Sequence, residues 1–485
     1  MLLGLDLGTT NVKALLVTED GTITSRGSAP VPLHHVADGG VEQDIEEIWR
    51  ATLDAIRRAG EVGDLSAVRA IGISSQGAAI QVRAPDGRCT GPVISWMDPR
   101  GAASGQRLVE QLGVQWFSDR AGHGNSGIAV GQVQRLRAAN PDTLAWPNRL
   151  GFVGDTIVQR LCGRAAHDHS SLSITGFYNP SLQTADPELM ERIALRPDQL
   201  PDLQPAREPA GLLTPDAAEK TSLPVGVPVS AAIHDQYAAA LGSGAINAGD
   251  VMFGAGTAWA LLAVADHLMK PIVPSAYVCD HVVPQRWGQM LSLVVGGSVF
   301  KWALELSRLA DASAKTIDEM IDSVPPGSEG LRVLPFLDGA GGHERPTCGM
   351  LDGLKFAHGR AHLVRATVEG LCFELARQLR WLTESECPVS RLIMCGGVTQ
   401  TRSTPQIVAD VTGCPASCPD EPEVSAFGAA IVARAMLEPE APLETLSRSM
   451  TEPGRVIEPG PAASYYAPKS AEYVEAVRRQ LGWLA

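Results

Sequence analysis

The chain lacks the features that would tie it to a membrane or to nucleic acid. Its longest apolar stretch, residues 251–265, is interrupted by Gly254 and Gly256 and is too short to span a bilayer. Basic residues are fewer than acidic ones, 40 against 54, and the formal net charge of −14 disfavours binding to nucleic acid or to an anionic membrane surface. Asp6 interrupts the region where a signal peptide requires an unbroken apolar run, so we expect a cytosolic protein.

Cysteine pairs at metal-ligand spacing are also missing. The nine cysteines are scattered, and the closest two, Cys414 and Cys418, have no Cys or His neighbours at the spacing of a zinc site. We therefore expect reduced thiols, most of them small buried residues.

Two similar corners divide the chain. The length of 485 residues exceeds what one hydrophobic core usually organises, so two domains are expected. Near the start, two apolar runs predict strands at residues 2–7 and 12–17, joined by the corner Gly8-Thr9-Thr10. The same arrangement recurs at residues 251–264 around the corner Gly254-Ala255-Gly256-Thr257. This repetition predicts an internal duplication, with one corner in each domain.

The boundary between the domains is predicted in a stretch rich in glycine, alanine and asparagine. We place it so that the domains span residues 1–243 and 244–485. A third corner follows the apolar run at residues 392–395, which leads into Gly396 and Gly397. Apolar runs that alternate with helical patterns make this an α/β protein.

The glycine–threonine corners suit phosphate binding. Glycine lets the backbone approach a phosphate closely, and threonine hydroxyls add donors. An aspartate at the end of the preceding strand, here Asp6, can hold magnesium through water. A plain β-turn is the alternative interpretation of one corner, but two facing corners are what a protein that grips ATP between two lobes needs.

Eight short motifs follow one another in an order that indicates a family. They are LDLGTTNVK at 5–13, VEQD at 41–44, PVISWMDPR at 92–100, HDQ at 234–236, ERP at 344–346, RATVEG at 365–370, GG at 396–397 and FGAA at 427–430. In this order they resemble the FGGY carbohydrate kinase family, which has the fold of actin, hexokinase and the heat-shock-chaperone ATPases. The resemblance implies a duplicated ribonuclease-H-like α/β fold, with two lobes around a central cleft that holds ATP.

The resemblance also assigns roles to single residues. Asp235 is the implied general base, which accepts the proton of a sugar hydroxyl as that hydroxyl attacks the γ-phosphoryl group. Asp6, with magnesium held through water, neutralises developing phosphate charge. The implied ATP contacts are Thr9, Thr10, Lys13, Gly256, Thr257, Gly396, Gly397 and Gln400. The implied substrate contacts are Gln76, Trp96, Asp98, Arg100 and Asp235.

Structural interpretations stay open for several of these residues. Lys13 fits a solvated strand lysine equally well, and Gln400 fits a polar residue on a helix face. Asp98 and Arg100 can form a surface ion pair, and Trp96 can belong to the core. We favour a substrate role for Asp98.

Two departures from the family pattern concern the substrate. D-Xylulose kinases typically show Gln-Met-His-Gly where this chain has Gln76-Gly77-Ala78-Ala79, so the histidine that would contact the ketose is Ala78 here. His234 stands where many relatives carry glycine. The smaller, apolar wall at Ala78 argues against assuming that D-xylulose is the substrate, and the role of His234 stays open.

The predicted function is transfer of the γ-phosphate of ATP, with magnesium, to a primary hydroxyl of a small sugar. A pentulose is the first choice, and a polyol such as erythritol or glycerol is the alternative. A chaperone or cytoskeletal ATPase would need a further substrate-binding domain or filament surfaces, and a silent sugar sensor would have lost Asp235. We expect ATP and a small sugar or polyol as ligands, no nucleic acid or membrane partner, and a homodimer as the default assembly.

Overall fold

The chain folds into two compact units. A computed structural model describes residues 1–256, 258–294, 296–337, 348–385 and 387–481. The first unit consists of Met1–Ile246, Asp266–Gly288 and Glu423–Thr451, and the second of Asn247–Ala265, Gln289–Pro422 and Glu452–Ala485. The predicted boundary at 243/244 lies close to Ile246, but no sequence signal indicated that two later segments pack with the first unit. Within the described residues, no helix is both long enough and apolar enough to cross a membrane.

The first unit contains both strands and helices. Its strands are β1 (Leu2–Leu7), β2 (Asn11–Val17), β3 (Ile23–Pro30), β4 (His34–His35), β5 (Val41–Gln43), β6 (Ala70–Ser75), β7 (Ile80–Arg83), β8 (Val93–Ile94), β9 (Arg149–Phe152), β10 (Ala166–His167), β11 (Tyr178–Asn179), β12 (Thr184–Ala185), β13 (Asp202–Leu203), β14 (Pro209–Leu212), β15 (Pro228–His234) and β18 (Tyr277–Asp280). Its helices are α1 (Ile45–Gly60), α2 (Ala102–Leu112), α3 (Val114–Arg120), α4 (Ile128–Ala139), α5 (Val153–Cys162), α6 (His169–Ser173), α7 (Pro187–Arg192), α8 (Pro215–Thr221), α9 (Asp235–Ser243), α14 (Val424–Leu437) and α15 (Leu443–Met450).

The main sheet of the first unit aligns the ends of its central strands. Its order is β13-β10-β15-β6-β1-β2-β3, and β14 pairs with β15. Strands β15, β6 and β1 run parallel, with Asp6 opposite Ser74 and Ser75 opposite His234. Every residue of β1 and β6 is buried, as expected for strands covered on both faces. Because parallel neighbours end at the same edge, the residues that follow β1, β6 and β15 are brought together.

Helix α14 packs directly on the backbone of this sheet. A Cβ atom on Gly4 of β1 would lie 2.0 Å from Ala426 O of the helix, and one on Gly72 of β6 would lie 1.8 Å from Ala429 O. Glycine is therefore required where the helix crosses these two strands. The close contact also explains why the predicted FGAA stretch of α14 consists of small residues after its phenylalanine.

The second unit repeats the central arrangement of the first. Its strands are β16 (Asp250–Ala255), β17 (Trp259–Ala265), β19 (Trp287–Val294), β20 (Arg332–Leu334), β21 (Met350–Asp352), β22 (Arg391–Cys395), β23 (Ala416–Cys418) and β24 (Arg455–Ile457). Its helices are α10 (Gly296–Leu306), α11 (Ala314–Asp322), α12 (Arg360–Glu384), α13 (Ser403–Thr412) and α16 (Ala463–Leu481). The sheet includes the order β19-β17-β16-β22-β23-β24. Strand β16 is antiparallel to β17 and parallel to β22, as β1 is antiparallel to β2 and parallel to β6.

Gly72→Ala is expected to lower the melting temperature, because its methyl group would collide with Ala429 O of helix α14. An overpacked core position costs about 1–3 kcal/mol, which thermal unfolding followed by circular dichroism would detect. Gly91→Ala is the matched control, since no heavy atom lies within 4 Å of a Cβ built there. Equal melting temperatures for the two variants would contradict the close approach of helix and sheet.

Candidate active site

The ends of β1, β6 and β15 bring two acidic side chains near one another in the first unit. Ser74 Oγ donates a hydrogen bond of 2.8 Å to Asp6 Oδ1. Asp235 is the first residue of α9, directly after β15. Burial raises the pKa of Asp6 to about 6, and the negative charge of Asp235 adds to the rise. The two residues predicted to be catalytic therefore lie close enough to interact electrostatically.

The carboxylate of Asp235 is held by its neighbours in sequence. Gln236 Nε2 donates to Asp235 Oδ1 at 3.3 Å, and His234 Nε2 lies 3.3 Å from the same oxygen. The Asp235 side chain is 27% exposed. Burial raises its pKa to about 6, although hydrogen bonds from Gln236 oppose the rise. Such a carboxylate is ionised near neutral pH yet basic enough to accept a proton.

Thr9 is hydrogen-bonded to two of the predicted substrate contacts. Its hydroxyl donates to Gln76 Oε1 at 3.2 Å and accepts from Trp96 Nε1 at 2.9 Å. Its carbonyl oxygen accepts from Gln43 Nε2 at 2.9 Å, and Gln76 Nε2 donates to Gln43 Oε1 at 3.0 Å. The first glycine–threonine corner is thereby tied to the predicted substrate residues Gln76 and Trp96. The network leaves the ring faces of Trp96, and not its indole N–H, available for a ligand.

Thr10 and Lys13 lie near the same edge. Thr10 is exposed, and its hydroxyl accepts a hydrogen bond of 3.2 Å from Asn11 Nδ2. Lys13 pairs with Asp6 across β1 and β2, and its ammonium group forms a salt bridge with Glu423. The positive charge of Lys13 lowers the pKa of Asp6, against the larger effect of burial. Lys13 is thus an ion-paired lysine beside Asp6, and its contact with ATP stays a prediction.

Asp98 and Arg100 form a buried ion pair. The Asp98 side chain is fully buried and accepts hydrogen bonds from the backbone nitrogens of Val41 and Arg100 at 3.0 and 2.9 Å. Arg100 Nη2 lies 2.6 Å from Asp98 Oδ2 and 2.6 Å from Glu42 Oε1, and Nη1 lies 2.9 Å from Asp38 Oδ2. Burial raises the pKa of Asp98, but the hydrogen bonds from Arg100 and the backbone hold it below its usual range. The ion pair that the sequence analysis gave as an alternative is therefore present. A sugar contact by either residue stays a prediction.

A cavity of about 520 Å³ lies next to this ion pair in the first unit. Its lining includes Trp96, Asp98, His123, Asn125, Ser126 and Tyr277. The His123 ring stacks on Tyr277 with centroids 3.6 Å apart, and its Nδ1 donates to Ala276 O at 2.9 Å. Burial lowers the pKa of His123 to about 4, so the ring is neutral with Nε2 as an acceptor. Among the described residues that line this cavity there is no lysine or arginine.

A second cavity, of about 450 Å³, lies in the second unit beside the predicted nucleotide residues. Gly256, Gly397 and Gln400 line it. Gly396 has a φ of +104° and a Cβ there would lie 2.6 Å from Ala255 O, so this glycine shapes the turn itself. Thr257 lies outside the described residues, as does the predicted motif at 344–346.

The sequence analysis did not identify the part of this cavity that helix α10 supplies. Gly297, Ser298, Phe300 and Lys301 line it. A helix N-terminus, a serine hydroxyl and a lysine together suit an anionic phosphate chain. One sequence signal could have indicated this part of the cavity. Gly296-Gly297-Ser298 follows the apolar residues of β19, which is another strand that leads into glycines.

Magnesium fits the oxygen donors of the first unit. It is usually bound by one or two carboxylates, several waters and substrate phosphates. Asp6 supplies one carboxylate of that kind, and the negative charge of Asp235 nearby favours a cation there. The described residues contain no group of three or more His, Cys, Asp or Glu side chains arranged for a metal ion, so most of the remaining ligands would be water and the phosphates of ATP.

Comparison with known families decides the assignment. The model of the N-terminal domain of the FGGY family of carbohydrate kinases matches residues 1–242, and that of its C-terminal domain matches residues 252–437. The chain belongs to the FGGY family of carbohydrate kinases. It is therefore a carbohydrate kinase, with ATP as a substrate, as the ordered motifs predicted.

Relatives cover almost the whole chain. Xylulose kinase from Escherichia coli (strain K12) is 26% identical over 454 residues, 91% of each chain. Glycerol kinase from Rhodospirillum centenum is 26% identical over 452 residues, 89% of this chain and 88% of that one. The crystal structure of gluconate kinase from Lactobacillus acidophilus matches with a TM-score of 0.89 at 22% identity, covering 99% of this chain and 97% of that one. The predicted α/β fold of the actin-like ATPases is confirmed, while the three names indicate three different substrates.

Gly397→Val is expected to weaken ADP binding, measured by isothermal titration calorimetry, by about tenfold or more. The valine would project into the cavity, because no heavy atom of the protein lies within 4 Å of a Cβ at this position. Its melting temperature should stay near that of the unmodified protein. Gly396→Val, with its positive φ and its contact with Ala255 O, should instead lower the melting temperature. A folded Gly397→Val variant with unchanged ADP affinity would remove this cavity from the nucleotide site.

Proposed function

We propose that the protein phosphorylates a primary hydroxyl of a small neutral sugar, with a pentulose as the first candidate. The observation that carries this proposal is the pair of carboxylates, Asp6 and Asp235, at the aligned ends of β1 and β15. Asp6 would act at the phosphates of ATP, and Asp235 would accept the proton of the attacking hydroxyl. A polyol such as erythritol or glycerol is the second candidate, and the similarity to glycerol kinase favours it.

The reaction needs a group that accepts a proton as phosphorus is attacked. In the proposed mechanism, the hydroxyl proton moves to Asp235 while the hydroxyl oxygen forms a bond with the γ-phosphorus, and the bond to the bridging oxygen of ADP breaks. Asp6 and Lys13 influence the charge around the phosphates. Magnesium, when bound near Asp6, would neutralise part of the phosphate charge. The presence of Asp235 in a polar, partly exposed setting also argues against a silent sugar sensor.

The cavity next to Trp96 supports a neutral substrate. An aldonate such as gluconate carries a carboxylate, which needs a cation or several donors when it leaves water. The described lining of the cavity offers no lysine or arginine, His123 is neutral, and the charge of nearby Arg100 is matched by acidic partners. Hydroxyls can instead bond with His123 Nε2, Asn125 and Ser126, and a carbon face can stack on Trp96. We therefore place pentuloses and polyols before aldonates.

A substrate panel tests this order. ADP release should be fastest with a pentulose such as xylulose or ribulose, slower with erythritol or glycerol, and slowest with gluconate. The discriminating quantity is kcat/KM, since missing or unpaired polar contacts can change it by about 10⁴-fold. Gluconate as the best substrate would overturn the argument from the uncharged cavity while leaving the kinase assignment intact.

Asp235→Asn is expected to lower kcat by roughly 10²–10⁴-fold, because the amide cannot accept the hydroxyl proton. ADP affinity should be nearly unchanged. In the unmodified enzyme, kcat should fall as the pH drops through about 6, because the raised pKa of Asp235 leaves it increasingly protonated there. The pH profile of the variant's residual kcat should lack the contribution that the titration of Asp235 makes in the unmodified enzyme. Wild-type turnover by a folded Asp235→Asn variant would exclude it as the base.

A further inference from the structure

The imidazole of His234 fills the space beside Gly77, at the ends of two neighbouring strands. Gly77 follows β6 and His234 ends β15, and the two strands run parallel with Ser75 opposite His234. A Cβ atom on Gly77 would lie 2.5 Å from His234 Cδ2 and 2.7 Å from its Nε2. The imidazole therefore lies in the place that a side chain at position 77 would take. The two departures from the xylulose kinase pattern, at positions 77–78 and at 234, meet in one small region.

The imidazole of His234 is buried. Its backbone nitrogen donates to Ser170 Oγ at 3.0 Å, and its side chain is 6% exposed. Burial lowers its pKa to about 3, so the ring is neutral and carries one N–H. Nδ1 is buried and has no hydrogen-bond partner among the described residues, whereas Nε2 lies 3.3 Å from Asp235 Oδ1. Because an unpaired buried N–H is costly, the proton belongs on Nε2, where it faces the carboxylate.

This arrangement distinguishes the two oxygens of Asp235. Oδ1 contacts Gln236 Nε2 and His234 Nε2, both at 3.3 Å. Among the described residues, no side chain donates a hydrogen bond to Oδ2. A base whose one oxygen is restrained presents the other in a defined direction, and small misplacements of a reacting group are costly.

We propose that His234 is a positioning residue, which holds Asp235 by Oδ1 and directs Oδ2 to the substrate hydroxyl, and that Gly77 is needed to make room for it. This inference rests on the proposed role of Asp235 as the general base. In this proposal His234 restrains the carboxylate, and proton transfer is assigned to Asp235 alone. The protein thus supplies an imidazole from the end of β15, next to the base.

Kinetics of His234 variants test the positioning role. His234→Ala should lower kcat by about tenfold or more, since the carboxylate loses its restraint. The KM for the sugar and the affinity for ADP should change by no more than about twofold, because binding contacts are intact. His234→Gln should recover part of kcat, since its carboxamide N–H can reach Oδ1. His167→Gln is the matched control: His167 is also buried and neutral, with no hydrogen-bond partner for either ring nitrogen among the described residues. It should lower the melting temperature and leave kcat unchanged.

A double-mutant cycle tests the link with Gly77. Gly77→Ala should lower kcat by displacing the imidazole, and its effect should be at least about threefold smaller when His234 is already glycine. Some effect will remain, because the same Cβ would also lie 2.5 Å from Ile174 Cγ2. Additive effects of the two substitutions would overturn the role of Gly77.

Three results separate the inference from the proposed function. Wild-type kcat in His234→Ala, with turnover lost in Asp235→Asn, would overturn the positioning role alone. If kcat falls equally in His234→Ala and His234→Gln, in proportion to the fall in melting temperature, His234 has a structural role. That result would also overturn the positioning role. Wild-type turnover in Asp235→Asn would overturn the proposed base, whatever the His234 variants show.

Discussion

The structure of the first unit depends on the direct contact between helix α14 and the backbones of β1 and β6. Only glycine at positions 4 and 72 permits the carbonyl oxygens of the helix to come so close. Both strands are completely buried, and their parallel pairing places Asp6 opposite Ser74. Since β15 is parallel to β6, the ends of all three strands then lie at one edge. Asp6, Gln76 and Asp235 are close together for this reason, although they are far apart in sequence.

Burial at this edge of the sheet also determines the pKa values of its carboxylates. Removing a carboxylate from water disfavours its charged form, and burial is the largest cause of the raised pKa of both Asp6 and Asp235. Two such carboxylates side by side repel one another, and this makes the edge a favourable place for a cation. Lys13 lowers the pKa of Asp6 but is itself paired with Glu423, so it compensates for the burial only in part. In contrast, Asp98 is buried with a matching guanidinium and stays strongly acidic.

Local sequence predicted the elements well and their neighbours less well. The strands predicted at residues 2–7 and 12–17 appear as expected, within one residue, because a short apolar run is a signal that acts within a few residues. The duplication could be predicted because each Gly–Thr corner lies next to its own strand pair. The positions of Ser298 and Lys301 beside Gly397 could not be predicted, because they depend on the order of strands in the sheet. Non-local pairing sets that order. The partners of Arg100 at Asp38 and Glu42 were missed for the same reason.

Individual side chains near the base carry more information about the substrate than the fold does. Relatives whose names indicate xylulose, glycerol and gluconate share this architecture at similar identity, so the sheet and α14 cannot select among them. Selection must come from side chains that the shared architecture does not determine. His234 and Gly77 form the packing behind Asp235, and His123 and Tyr277 form part of the wall of the neighbouring cavity. The neutral ring of His123 is held in one tautomer by Ala276 O, and Nε2 of His234 lies 3.3 Å from the Asp235 carboxylate. A polyhydroxy substrate would then meet a fixed pattern of donors and acceptors, and the geometry of that pattern, more than any net charge, would distinguish one neutral sugar from another.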